Sequence, residues 1–589
     1  MNLTKYTGLT IFCVALAAFI GLLFLTRHEL EEVQIQHITD ELKPQHQPYL
    51  QAELEKLAGQ DLGGKFSFVP KVMQAIHQAN AAITTEFQIS EEQVAQFVQT
   101  AQTASDAGFA MTETSRASAL EKLPESMRQT ISDYTGWLVG KEFGSQDEYQ
   151  TQAAQGVKNA VDGFINGKLI AGEKKDYAYK ILKGSSKGLF WEHQYLFFWL
   201  IIVGGSLGAL MWIVPAFFDG IPGIKHNGIY HNSATSRGAI GIATGVFLIS
   251  FYILLYFFHY LIPEWISLVD PVSMWLRGEP ASQWFMYGFL YTIAITVMGI
   301  RMFTKYRHSN YHLLRTASVM FFQICFAFLI PQVLYQLNLP EDDLKNIWPL
   351  DYDLFFEWNI DAHIQAGSIG IFMLVWGIIL TVVGVPLLTY FFGKRWYCSW
   401  VCGCGGLAET LGDPYRQLSD KSLKAWKVER WLIHSVLVFA VIMTGLVLYT
   451  YFSKESTVLG LNSYTVRSWY GFGISSIFAG VVGTGFYPLM GSRVWCRFGC
   501  PLAAYLGIVQ RFKSRFRITT NGGQCISCGN CSTYCEMGID VRAYAQRGQN
   551  IVRASCVGCG VCAAVCPRGV LALENGPNTD ESRMSDHSY

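Results

Sequence analysis

The sequence predicts a polytopic α-helical membrane protein of about eight spans, with a mainly helical domain between the first two spans and a small α+β module at the C-terminus. Three observations lead there. Of 589 residues only 15% are charged, while 51% are hydrophobic and 14% aromatic, a membrane composition. Eight apolar stretches are each long enough to cross a bilayer. Eight of the fifteen cysteines fall between Cys525 and Pro567 in two copies of the spacing C-x2-C-x2-C-x3-C.

The first span, Thr7 to Leu25, lies between Lys5 and Arg27. It is longer than a signal-peptide core and no small-x-small cleavage site follows, so residues 1–25 are read as an uncleaved membrane anchor. Residues 26–192 are polar and free of cysteine, with helical spacing in Glu91–Ala104 and Tyr149–Phe164. His37, His46 and His77 lack metal-ligand spacing there and are expected on the solvated surface. Seven further spans are expected at 195–218, 239–262, 283–302, 316–336, 367–393, 431–452 and 469–490.

The loops alternate in charge. Lys225 and Arg237 mark the loop 219–238; Lys305, Arg307 and Arg315 mark 303–315; and seven Lys and Arg between Lys394 and Arg430 mark 394–430. By contrast, 337–366 carries Glu341, Asp342, Asp343, Asp351, Asp353, Glu357 and Asp361 against Lys345. Basic loops stay inside, so both termini are expected in the cytoplasm and residues 26–192 in the periplasm of a bacterial inner membrane. The formal net charge of zero gives no reason to expect a nucleic-acid partner.

All cysteines but Cys13 follow residue 300, and most cluster near the inner ends of spans, where thiolate–metal chemistry suits a reducing compartment better than disulfides. A loop with cysteines three apart wraps three corners of an iron-sulfur cube, and a remote cysteine closes the fourth. Two such runs imply two 4Fe-4S clusters, whereas zinc ribbons use pairs rather than a duplicated three-cysteine loop. In the bacterial ferredoxin arrangement the fourth cysteine serves the other cluster. One cluster is therefore assigned to Cys525, Cys528, Cys531 and Cys566, the other to Cys556, Cys559, Cys562 and Cys535, making residues 511–589 a two-cluster ferredoxin-like domain behind the basic run Arg511–Arg517.

Cys398 and Cys402 follow the sixth span, and Cys496 and Cys500 the eighth, each as C-x3-C among Trp and Gly. On a helix this spacing places both sulfurs on one face. Such thiols bind copper, iron or another soft metal, cycle as a dithiol, pool into one four-thiolate site, or simply pack as small apolar groups. Cys404 is an odd third thiol, and Cys13 and Cys325, alone in apolar spans, are expected in the core. His259, His434, His363, His308 and His312 do not form a depth-matched pair for a haem. Arg301 and Tyr311–Arg315 offer donors for a quinone head group, though retention of inner-loop cations explains them equally. The S-A-T-S run at 233–236 lacks the Gly-Ala-Thr core of covalent flavin sites, and no flavin is assigned.

Spans ending in C-x3-C twice, followed by a two-cluster module, resemble the polyferredoxin-like membrane iron-sulfur proteins of the NosR/NapH/CcoG type. The resemblance is confined to about 367–570; Cys402 is followed by Gly403 and Cys535 by Glu536 where those proteins usually have proline. It implies bacterial inner-membrane electron transfer in which the ferredoxin clusters and the C-x3-C pairs act together. The preferred reading is an electron-transfer protein, with residues 193–510 as membrane domain and 511–589 as cluster module, that exchanges electrons with quinone or with redox partner proteins. Two further functions stay open: copper reduction or assembly of a respiratory oxidase, and a redox sensor or docking platform built on residues 26–192. No catalytic residue is assigned.

Overall fold

The computed structural model describes residues 2–60, 62–105, 108–217 and 237–576 and divides into two compact units, Leu22–Glu192 and Met1–Gly21 with His193–Tyr589. The S-A-T-S run, Lys225 and the tail 577–589 lie outside the described residues.

The unit Leu22–Glu192 is mainly helical. Its longest helices, Lys65–Phe87 and Gln146–Lys168, pack on each other, Gln146–Lys168 also packs on Glu91–Ala101, and a core of Phe97, Ile131, Leu138, Tyr149 and Val157 excludes water. Ser90 and Gln93 form a reciprocal capping box that starts the helix Glu91–Ala101. That helix stops at Ala101 rather than Ala104, because Gln102–Ser105 pairs antiparallel with Gly108–Met111. The ends of the unit are tied together by antiparallel pairing of Arg27–His28 with Ser186–Lys187.

His37 and His77 are exposed, but His46 is buried, correcting the surface expectation. Its Nδ1 accepts from the Tyr177 hydroxyl at 2.8 Å and its Nε2 donates to the Lys168 carbonyl at 3.0 Å. These partners lie more than 120 residues away, beyond the reach of local spacing. His28 is also buried, stacked on Phe68. Burial, reinforced by the Lys65 charge, pushes its pKa down to about 4; burial likewise lowers that of His46. A lowered folded-state pKa means that the unfolded chain binds more protons below its ordinary value of 6.5. Stability is therefore complete above that pH and is lost as pH falls toward 4, by about 1.4 kcal/mol per pH unit from His28. Hydrogen exchange of residues 22–192 in the intact chain, corrected for intrinsic rate, is expected to speed up about fifteenfold from pH 6.5 to 5. Unchanged protection would contradict this.

Among the described residues, seven helices are long and apolar enough to cross a membrane: Leu3–Leu25, Gln194–Ile213, Gly238–Phe257, Gln283–Lys305, Asn310–Gln336, Gly367–Phe392 and Leu423–Ser453. Their outward faces stay apolar, as with Ile369, Phe372, Val375, Trp376, Ile379 and Val383, which suits lipid rather than water. Cys13 is exposed and Cys325 half-buried, so neither is a core residue. A membrane-facing surface accepts apolar side chains without burying them in protein, so the expected link between apolarity and core fails there.

The eighth expected span is helical from Ser463 to Gly485, in three consecutive pieces, but is less apolar than the others. Its glycines serve close packing: a Cβ on Gly480 would lie 2.6 Å from the Tyr256 ring, and one on Gly485 2.7 Å from Ile249. Between Gln336 and Glu357 the chain is largely non-helical, yet Ile347 is fully buried against Tyr397, Cys398 and Cys402. Trp348 Nε1 donates to Thr444 at 3.0 Å. Irregular backbone of this kind is tolerated inside a membrane protein where helices shield it from lipid.

The C-terminal module closes on the antiparallel strands Phe516–Thr520 and Leu571–Asn575. Its two cysteine loops share one backbone path. Ser527 and Gly558 have φ of 59° and 63°, Gly529 and Gly560 of 80° and 81°, and short helices follow at Asn530–Thr533 and Val561–Ala564. The left-handed turn repeated in both copies bends each loop around its cysteines.

Candidate metal centres

Thirteen cysteines converge on three small cavities. The first is lined by Cys525, Cys528, Cys531 and Cys566, the second by Cys535, Cys556, Cys559 and Cys562. The fourth cysteine of each run thus faces the other run's loop. The third cavity is lined by Cys398, Cys402, Cys404, Cys496 and Cys500, bringing both C-x3-C pairs and the odd thiol to one place.

Neither pair lies along a single helix, contrary to the helical-face expectation. Cys398 ends the short helix Arg395–Cys398 and Cys402 precedes Gly403–Thr410; Cys496 lies in Trp495–Gly499 and Cys500 precedes Pro501–Lys513. A helix break between the cysteines of each pair turns all four toward one point, and Cys500 Sγ accepts the Ala503 N–H at 3.4 Å. Gly403 starts its helix as Pro501 starts the other, so the missing proline is no obstacle to the turn.

The four paired thiols are buried. Burial pushes Cys398 up to about 12, whereas a hydrogen bond from Cys404 draws Cys402 down to about 6. The Tyr397 hydroxyl and the Trp495 indole N–H, both from residues lining this cavity, are buried and without hydrogen-bond partners among the described residues. Orphaned donors beside converging thiols fit an anionic metal–sulfur group, which accepts hydrogen bonds at sulfur.

A buried ionic network adjoins the second and third cavities, through Glu536 and Arg493. Arg416 Nε holds Asp413 at 2.8 Å and its Nη1 holds Glu536 at 2.5 Å, while Nη2 pairs with Glu409. Arg493 reaches Glu409 at 2.5 Å and Glu536 at 3.1 Å, and its Nη1 lies 3.7 Å from Cys496 Sγ. Arg301 and Lys305 pair with Asp413, and Arg315 with Glu409 at 2.9 Å. Burial would raise the Asp413 pKa, but Lys305, Arg301 and Arg416 overcome it and hold the carboxyl well below its usual range. Glu409, Glu536 and Cys559 also approach within 4.8 Å of one another, but guanidinium groups already occupy those carboxylates. Five cations thus face three carboxylates, and unpaired buried charge is costly. Anionic iron–thiolate groups in the adjoining cavities would complete the balance.

The same elements join the module to the membrane helices. Ser399, next to Cys398, donates to the Val557 carbonyl, next to Cys556, at 2.7 Å. Ser419 donates to the Glu536 carbonyl at 2.7 Å, Tyr311 to that of Gly558 at 2.7 Å, and Arg315 to that of Cys559. Gln510 binds the Arg553 and Cys556 carbonyls at 2.7 and 2.9 Å. Arg301 and Tyr311–Arg315, raised from sequence as quinone donors, are therefore engaged in the ionic network and in docking the module; their fixed partners explain their presence at the ends of spans. His312 stacks on Tyr306 with centroids 4.7 Å apart, His363 pairs with Asp342, and His434 donates from Nδ1 to the Arg430 carbonyl.

Sequence reasoning missed Glu409, Asp413, Arg416, Arg493 and Glu536. Arg493 and Arg497, close beside the second C-x3-C in an apolar context, were the available signal, since charges there need buried partners.

Residues 524–571 match the 4Fe-4S dicluster domain, and residues 374–422 and 471–519 each match a 4Fe-4S binding domain. Each of the latter segments contains one C-x3-C pair. Over 155 residues the chain is 26% identical to the "Putative electron transport protein YccM" of Escherichia coli (strain K12), an alignment covering 25% of this chain and 43% of that protein. The chain therefore spans less than half the length of that curated relative. No solved structure matches. Several apolar helices, the 4Fe-4S domains of its C-terminal region and this similarity together describe a membrane iron-sulfur protein of the ferredoxin-like type.

Proposed function

We propose that the chain is a membrane electron-transfer protein with three iron-sulfur clusters. Cys525, Cys528, Cys531 and Cys566 hold one, Cys556, Cys559, Cys562 and Cys535 the second, and Cys398, Cys402, Cys496 and Cys500 the third. The observation that carries this reading is the convergence of both C-x3-C pairs on one cavity. When bound, such clusters supply one-electron transfer. The protein's residues hold and tune them: Arg493 sets a positive charge beside Cys496, Ser399 fixes the Cys398 turn on the Cys556 loop, and Tyr397 offers an O–H donor.

Between the third and second sites the path is short. It runs from Cys496 through Arg493 to Glu536, the neighbour of Cys535, and from Ser399 to Val557. Electrons entering the module therefore have a covalent and hydrogen-bonded route to the membrane, and their exchange partner is quinone or a protein on the far side.

The basic loops 303–315 and 394–430 both bind the module, through Tyr311, Arg315, Ser399 and Arg416. This supports a common, cytoplasmic side for them in a bacterial inner membrane, with residues 26–192 in the periplasm.

Metal analysis of the protein purified without oxygen tests the reading against copper reduction. Iron and sulfide without stoichiometric copper are expected. Copper at one ion per chain, lost on replacing Cys398 and Cys496 while iron stays constant, would favour the copper function instead.

A further inference from the structure

Between the four-thiol cavity and the apolar helices lies a second chamber of about 160 Å³. Six tyrosines line it: Tyr256, Tyr287, Tyr291, Tyr352, Tyr470 and Tyr487. They come from three spans, the short turn after the last, and the non-helical segment that enters the bundle before Glu357. Tyr287 and Tyr291 stand four apart, one above the other on a single helical face. Leu350, Cys404, Trp495 and Cys496 line both this chamber and the four-thiol cavity, so one wall separates the two. Within the chamber lining, the Ser492 hydroxyl is 1% exposed and has no hydrogen-bond partner among the described residues. Buried hydroxyls without a partner are uncommon and call for one.

On its other side the chamber meets a groove of about 500 Å³. Tyr287, Tyr291 and Thr484 line both spaces. The rest of the groove is almost wholly apolar, from residues such as Phe12, Phe19, Ile202, Phe247, Leu290 and Met298. A ligand filling both spaces needs a compact aromatic head with hydrogen-bond acceptors and a long hydrocarbon tail. The chamber is too small for a porphyrin, and no histidine is among the described residues that line it. A lipid tail alone would fill the groove and leave the Ser492 hydroxyl unsatisfied.

We propose that the chamber and the groove together bind a prenylated quinone. The ring carbonyls accept hydrogen bonds from the tyrosine and Ser492 hydroxyls against the Cys496 wall, and the tail lies in the groove. The assignment rests on the reading of the four thiols as a redox centre, because that wall is what gives a quinone a function there.

The test uses the full chain in nanodiscs and an azidoquinone with a ten-carbon tail, photolysed and mapped by mass spectrometry. Label is expected on peptides from 283–305 and 463–501, blocked by unlabelled quinone of the same tail and about tenfold less well by the tailless ring. Ala479 lines the chamber, so Ala479→Phe fills it and should cut labelling about tenfold. Ser492→Ala removes one donor without filling space and should weaken competition about fivefold. Iron per chain should be unchanged in both variants. Label confined to lipid-facing positions, or indifferent to both variants, would overturn the proposal. Chamber labelling with iron for only two clusters would sustain the quinone site while refuting the third cluster, so the two ideas fail separately.

Discussion

Replacing Arg416 by alanine is expected to release the cysteine-rich module from the membrane helices. This guanidinium, fully buried, holds three carboxylates from three places: Asp413 in its own turn, Glu409 in the helix Gly403–Thr410, and Glu536 in the module. Removing one partner of a buried ionic cluster leaves charge unsolvated and unpaired, at a cost of about 3–5 kcal/mol. Amides of residues 516–575 should then exchange on the order of 10² to 10³ times faster in the intact chain. Arg416→Lys should rescue poorly, since a single ammonium cannot span the three acceptors that a planar fork meets. Wild-type exchange rates in both variants would show that the module is held by other contacts.

The second large effect concerns ligand crossing. Cys535 follows the first cysteine loop but lines the cavity of the second, and Cys566 does the reverse. Cys535→Ser should therefore abolish the cluster at Cys556, Cys559 and Cys562, while Cys566→Ser abolishes the one at Cys525, Cys528 and Cys531. The sites differ in access: Cys528 is exposed and Cys525 half-buried, whereas Cys556 and Cys562 are buried. A chelator should strip the module cluster left in Cys535→Ser on the order of tenfold faster than the one left in Cys566→Ser. In both, the magnetic interaction between the two module clusters should vanish from the EPR of the reduced protein. The opposite order of stripping would mean that each run serves its own cluster.

How much of this was legible in the sequence follows from the range of the forces involved. The eight module cysteines were readable because a cluster takes three ligands from one short loop, and the loop is written twice, down to the turns at Gly529 and Gly560. The spans were readable because lipid imposes length and apolarity. The helix Ser463–Gly485 reads weakly because it packs inside, through Gly480 and Gly485, and needs less apolar surface. The meeting of Cys398 and Cys402 with Cys496 and Cys500 was one alternative among several, since nothing in a spacing of about one hundred residues fixes proximity. The repeated C-x3-C was the signal. Arg416, Glu409 and Glu536 were not legible, because their pairing is set by tertiary packing and as isolated letters they look like ordinary loop charges; Arg493 signalled a buried charge but not its partners. The tyrosine chamber left a faint trace in the pair Tyr287/Tyr291, four apart in one span.

The most direct test of a third cluster at the membrane surface is the iron count of the double variant Cys398→Ser, Cys496→Ser against the wild-type chain, both purified without oxygen. The expected result is about twelve iron atoms per wild-type chain and about eight in the variant, with the EPR of the two module clusters retained. About eight iron atoms in both proteins would contradict it.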